Sequence, residues 1–382
     1  MVILNLKMDN IFSFKDFEIN FSYPRKLKQS TIENENLSDI PSFRYKKLNI
    51  FMGSNASGKT SLIRAIWNIM VLLNKKDKRN LEDIVNFNAD ESYIEVDFVD
   101  KRSDKSFLLR LKIKTQNSPE DLKIQMAYKL ILIGKQDSYE SCKKRLDAFE
   151  YEYNDCMSVL NDLDLREIGW NVVLPATEAL FNRISFPEFK DEKESDDYLS
   201  MLNTVLKSLD PAIIEVARSK DADNAYVVQH ENVGAIIVQA NNSLSSIPCL
   251  SSGTKYGFNI ANIFFSVKYR INGIYLIDEQ FSYIDSSIEK AMIAKLANMI
   301  GDDEQIFITT HNQEVANMSL PLHSYYFLSK KETEQGKKIC VNCASEIENR
   351  NNVAAKSIID NDLFGISPDV NPIFDLGVKA EE

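Results

Sequence analysis

The chain has 382 residues, 44% hydrophobic and 26% charged, enough for a large core in one elaborated domain or two. Its 45 basic and 56 acidic residues leave a net charge of −11, which disfavours indiscriminate binding to nucleic acid or to an anionic membrane surface. No apolar run approaches membrane-spanning length, the N-terminus lacks a signal-like apolar core, and five scattered cysteines read as reduced thiols, so a cytoplasmic protein with no membrane contact is expected.

Residues 1–23 alternate through Val2, Leu4, Leu6, Phe12, Phe14, Phe17, Ile19 and Phe21, which predicts two antiparallel strands. Residues 24–45 are polar and irregular, a loop. Leu48–Met52 is a short apolar run that reads as a buried strand, and Gly53 and Gly58-Lys59-Thr60 follow it in the spacing of a P-loop. After the loop, Leu62, Ile63, Ile66, Ile69, Met70 and Leu73 recur at helical spacing. Strand, glycine loop and helix is the context a phosphate requires. The glycines open backbone angles closed to other residues, and the loop amides and helix N-terminus then point at the anion. Lys59 is expected to reach the β- and γ-phosphates of a nucleotide, and the Thr60 hydroxyl to bind Mg²⁺.

Ser92–Val99, Phe107–Lys114 and Leu122–Ile133 alternate and predict a meander of three half-buried strands beside the P-loop unit. The texture changes near Lys135. Asp137–Asn161 and Asp196–Leu209 read as helices in a helical insertion, too short and too poor in heptads for a long coiled coil. Tyr226–Gln229 and Gly234–Gln239 return to the strand pattern. Cys340 and Cys343 form one C-x-x-C pair with no second close pair to complete a zinc site.

Three polar sites come in quick order. Leu250-Ser251-Ser252-Gly253-Thr254 opens an apolar helical stretch, the form of a helix N-cap or a second anion site. Ile274–Ile277 is an apolar strand ending in Asp278-Glu279. A carboxylate at a buried strand end needs a cation or a donor, so Asp278 is a candidate Mg²⁺ ligand and Glu279 a candidate activator of the attacking water. Gln305–Thr309 is another apolar strand, ending at His311, one of three histidines, as donor and sensor for the γ-phosphate. From Gly253 to Asp278 is 278 − 253 = 25 residues, room for one helix and a return into the sheet. Ser286-Ser287-Ile288-Glu289 then reads as a capping box ahead of a helix with Met292, Ile293, Leu296 and Met299 on its apolar face.

Taken together, these motifs resemble the ABC-type ATPase heads, in the branch shared by SMC, RecF and the OLD-like prokaryotic defence ATPases. Gly53–Thr60 matches Walker A, Leu250–Gly253 is similar to the ABC signature, Ile274–Glu279 matches Walker B, Ser282–Asp285 is similar to the D-loop, and His311 to the switch histidine. Ser252 stands where the family usually has glycine, Thr254 where it often has glutamine, and Gln280 where proline commonly follows the glutamate. The Q-loop glutamine stays open among Gln116, Gln125 and Gln136. The fold class implied is α/β, a P-loop NTPase with an antiparallel β subdomain and a helical insertion. Its parts would be 1–135 with Walker A, 136–225 as the insertion, 226–345 with the distal motifs, and 346–382 as a tail in which Asp360, Asp362 and Asp369 read as solvated acids.

The resemblance implies ATP and Mg²⁺ as ligands. Gly53, Asn55, Gly58, Lys59, Thr60 and Ser61 would hold the nucleotide from one copy, and Ser251, Ser252 and Gly253 from a second copy. Thr60 and Asp278 would hold the metal, and Glu279 and His311 would be catalytic. A homodimer closed around ATP is the implied assembly, driving a separate effector, a nuclease or toxin, in anti-phage defence. The alternative is a DNA-repair or DNA-tethering ATPase of the RecF or SMC kind, for which Arg44–Lys47 and Lys75–Arg79 are the local basic candidates. A transporter's ATPase subunit fits Asn55 and Gln280 less well, and a module that holds ATP without cleaving it fits less well with Asp278-Glu279 intact.

Overall fold

Among the described residues, two six-stranded sheets and a three-stranded sheet carry the chain. The computed structural model describes residues 1–23, 30–102, 104–118, 122–163, 170–173, 185–240, 249–333, 336–347 and 355–366. The first sheet is antiparallel. It runs β2 (Phe17–Asn20), β1 (Val2–Asp9), β4 (Glu91–Arg102), β5 (Lys105–Gln116), β6 (Lys123–Leu132) and β7 (Asn154–Asp155). The alternating N-terminal pair and the meander both form as strands. β4 is more deeply buried than its alternation implies, because α3 (Tyr139–Asp147) and the loop before residue 45 cover the face that carries its polar residues. There Asp97 and Arg110 make a bidentate pair at 2.7 Å on each arm, and Tyr139 donates to Asp97 at 2.7 Å.

The second sheet runs β15 (Gly336–Cys343), β14 (Tyr325–Thr333), β3 (Leu48–Met52), β13 (Gln305–Thr309), β12 (Ile274–Asp278) and β8 (Trp170–Val173). All pairs are parallel except β14 with β15. β3, β12 and β13 are buried along their whole lengths, which is why they read as unbroken apolar runs rather than alternating ones. One face is covered by α1 (Lys59–Lys75), which lies between the two large sheets, with α2 (Arg79–Glu82) and α4 (Cys156–Asp162) at the margin of that core. The other face is covered by α5 (Glu192–Leu209), α6 (Ser252–Lys268) and α7 (Ser286–Met299). The third sheet, β11 (Gly234–Gln239), β10 (Ala225–His230) and β9 (Ile213–Arg218), packs into the same helical layer.

Two expectations are corrected here. The block 136–225 is not purely helical. β8 joins the parallel sheet beside β12, with Ile274 opposite Trp170, and β9 completes the third sheet. The helix expected over Asp137–Asn161 breaks into α3 and α4, and between them Tyr151 and Tyr153 lie under the Lys112 and Lys114 ammonium groups at 3.9 and 4.3 Å. The described part of the C-terminal stretch, residues 355–366, is also not a free tail. After α8 (Ala344–Ile347), α9 (Lys356–Asp360) and the residues to Ile366 bury Ile358, Ile359, Phe364 and Ile366 in the main core. Asp360 and Asp362 are exposed, as read, while Asp369 lies outside the described residues.

Candidate functional site

The P-loop spans the C-terminal end of β3 and the start of α1, at the edge where β12 and β13 also end. Gly53 has φ 151°, and a Cβ built on it would stand 2.2 Å from the Leu328 carbonyl oxygen of β14, so no other residue fits there. Gly58 caps α1 in the left-handed region. The Lys59 ammonium donates to the carbonyls of Gly53 at 2.9 Å and Ser54 at 3.1 Å, folding the loop around itself. Burial lowers its pKa to about 8, against the opposing pull of Glu279 and Asp278.

Four more side chains meet at this point. Thr60 Oγ1 donates to Asp278 Oδ1 at 3.3 Å. Lys59 Nζ lies 3.3 Å from His311 Nδ1, and His311 Nε2 lies 2.6 Å from Glu279 Oε1. An ammonium only donates, so Nδ1 accepts and Nε2 carries the proton given to Glu279. Lys59, His311 and Glu279 are thus one hydrogen-bonded chain across the mouth of the loop. The cavity there, about 230 Å³, is lined by Gly58, Lys59, Thr60, Ser61, Glu279 and His311. A second cavity of about 400 Å³ lies against Gly53, Ser54 and Asn55, and it shares His311 with the first. Its far wall is Ile359 and Ile366, from the segment first read as tail.

The residues present fit a divalent cation. Asp278 is fully buried, and its Oδ2 has no hydrogen-bond partner among the described residues. Burial holds the Asp278 carboxyl above the usual carboxylate range, Glu279 adds to this, and the hydroxyls of Thr309 and Thr60 oppose it. An orphaned buried oxygen beside a threonine hydroxyl is the donor set that Mg²⁺ takes.

The signature-like stretch lies elsewhere. Ser251 is the N-cap of α6, its hydroxyl accepting from the Thr254 amide at 3.1 Å. Ser251 and Ser252 are exposed, and neither they nor Gly253 lines either cavity at the P-loop. A Cβ on Gly253 would stand 2.9 Å from the Tyr283 carbonyl, so the start of α6 and the D-loop-like turn pack backbone against backbone. Tyr256 and Tyr283 stack there at 5.1 Å between ring centroids.

Some residues at the site escaped sequence reading. Thr309 donates to Asp278 and accepts from the Glu279 amide at 3.0 Å. Glu279 itself has φ 53°, a left-handed conformation unusual for a side chain of this size and one found at strained functional positions. The expected capping box does not form. Asp285 caps α7, and Glu289 turns inward to accept from Thr310 Oγ1 at 2.7 Å and Asn312 Nδ2 at 2.6 Å. Glu289 falls four and seven residues before Ile293 and Leu296, on the stripe that faces the core, so its direction was available in the helical spacing. Gln116, Gln125 and Gln136 line neither P-loop cavity.

Residues 5–148 match a family described as an AAA domain. Among solved structures, the chain is similar to an SMC head bound to the C-winged helix domain of ScpA, at a TM-score of 0.50 and 14% identity over 91% of this chain and 100% of that one. It is also similar to the Smc head domain with an extended coiled coil bound to the C-terminal domain of ScpA, from Pyrococcus furiosus, at a TM-score of 0.50 and 12% identity over 95% and 99% of the two chains. No curated protein matches the sequence. The fold is therefore that of the SMC heads, an α/β P-loop ATPase fold with an antiparallel subdomain.

Proposed function

We propose that this chain, an AAA-type P-loop protein with the fold of an SMC head, binds and hydrolyses ATP as a homodimeric switch. One observation carries the reading. Lys59, Thr60, Asp278, Glu279 and His311 converge on the P-loop, while Ser251 and Ser252 stand exposed and away from it. One copy thus has one wall of a phosphate site and offers a second, unmatched wall at its surface.

In this reading the P-loop amides and Lys59 bind the β- and γ-phosphates, and Asn55 and Ser61 flank them. Thr60 and Asp278 would hold Mg²⁺, which neutralises charge building on the phosphate oxygens when bound. Glu279, backed by Thr309, orients and polarises water. His311 leaves its bond to Lys59 when a phosphate oxygen takes that place, and so reports the γ-phosphate. Ser251, Ser252 and Gly253 of a second copy close the site. Residues 1–135 and 226–345 form the ATPase and 136–225 decorate it, with β8 and β9 returned to the sheets. The effector is proposed to be a separate protein, a nuclease or toxin in anti-phage defence, in the cytoplasm. The two SMC heads of this fold, each solved with a ScpA domain bound, offer a precedent for a head that works through a bound protein.

The test is Glu279→Gln, with Lys59→Ala as the nucleotide-free control. Glu279→Gln should bind ATP, lose at least about a hundredfold in turnover and accumulate dimer in ATP, seen by light scattering. A variant that hydrolyses at the wild-type rate would assign the base elsewhere. A variant that stays monomeric with ATP bound would remove the shared site. Capture with the ATP-locked variant then identifies the effector.

A further inference from the structure

Helix α7 begins directly after Ser282–Asp285, an exposed turn that packs against Gly253 in the wall proposed to meet a second copy, and its first two turns carry an unusual group. Glu289 is 2% exposed, on the stripe shared with Ile293 and Leu296. A carboxylate in that place costs free energy unless its oxygens are bonded, and an apolar residue would pack there without that cost. Both oxygens are used. Oε1 accepts from Thr310 and Oε2 from Asn312, the residues on either side of His311.

The rest of the Asn312 side chain is committed too. Its other amide hydrogen goes to Ser286 Oγ at 2.8 Å, its carbonyl accepts from the Glu314 amide at 3.0 Å, and its own backbone amide donates to Thr310 Oγ1 at 3.0 Å. Two side chains on the first turns of α7 therefore grip the loop immediately before and after His311. His311 in turn spans Lys59 and Glu279. A rigid helix runs from the exposed turn to the loop that carries the side chain proposed to sense phosphate.

We infer that Glu289 is the positioning residue for His311, and that with Ser286 it couples docking of a second copy at Ser282–Asp285 to the placement of His311 against Lys59 and Glu279. The inference rests on the proposed ATPase reading. Displacement of the turn carries Ser286 and Glu289 with it as part of one helix, and the loop 310–312 follows because every polar atom of the Asn312 amide is held.

Glu289→Gln tests this, because it is isosteric and leaves one oxygen where two accepted, so either Asn312 Nδ2 faces a donor or the Thr310 hydroxyl must turn from donor to acceptor. A packing role would leave it indistinguishable from wild type. The expected result is a fall in kcat of about tenfold, in line with misplacement of a catalytic group, with KM for ATP within about twofold. Ser286→Ala, at a partly exposed position, should lower kcat by about threefold, and the double variant should fall by less than the product of the two. Should Glu289→Gln fail to fold, Ser286→Ala carries the same test. Wild-type kcat in the folded variants, or a raised KM with kcat unchanged, overturns the coupling. A wild-type protein without ATP turnover removes the ATPase reading and this inference together, whereas an active wild type with unaffected variants removes this inference alone.

Discussion

Thr309 holds the two acidic residues of the site in different ways at once. Its hydroxyl donates to Asp278 and accepts from the amide of Glu279, which sits in the left-handed region. Replacement by valine keeps the shape and suits the strand, but leaves a buried amide and a buried carboxylate oxygen without that partner. We expect Thr309→Val to lower ATP turnover by about ten- to a hundredfold, with ATP affinity nearly unchanged, and to cost about 1–3 kcal/mol in urea unfolding. Equal turnover in the two proteins would mean that Glu279 holds its conformation without the hydroxyl. Lys59 and Thr60 were legible because a P-loop is local: the eight consecutive residues Gly53–Thr60 carry its geometry. Thr309 was not, because its role exists only once β12 and β13 lie side by side with Asp278 opposite Thr309.

At the scale of elements, parallel pairing of the apolar runs explains why β3, β12 and β13 were found and β8 was not. The first three are five-residue runs ending in motif residues, each buried on both faces. Trp170–Val173 is four residues with no period, and only its register with Ile274–Ile277 makes it a strand. In the antiparallel sheet, alternation located β4 and β5 but did not show that their polar face is covered. Arg110 is buried there between Asp97 and Asp147. Removing Asp97 would leave a buried guanidinium short of its main partner, so Asp97→Ala should destabilise by about 3–5 kcal/mol. A loss below about 1 kcal/mol in denaturant unfolding would show that water or Asp147 replaces it.

Across the whole molecule, the two large sheets are joined by α1 and by a few polar ties. The Gln305 side chain bonds the backbone of Ile3 on both sides, accepting at 2.7 Å and donating at 3.0 Å. Asp303 receives Lys101 at 2.6 Å and the Ser38 hydroxyl and amide at 2.7 and 3.0 Å, linking the loop before β13 to β4. Burial alone would raise the Asp303 carboxyl, yet these bonds hold it below its usual value. A depressed carboxylate stabilises the fold above its unfolded pKa and loses that contribution as pH falls through the folded one. Asp303→Asn, which tolerates the same left-handed backbone, should therefore cost about 1 kcal/mol near neutrality and progressively less in acid. A cost independent of pH in thermal unfolding would assign the tie to shape rather than charge.

Local order by itself determined the P-loop, the strand ends that carry Asp278, Glu279 and His311, and the N-terminal strand pair and meander, since each is a periodicity or a short spacing. Tertiary structure decided the rest. Packing turned Glu289 from a cap into a buried clamp, brought Ile359 and Ile366 to the P-loop, and set Ser251 apart from Lys59. Those outcomes depend on which surfaces meet across hundreds of residues, and burial there outweighs the local preference of any single segment.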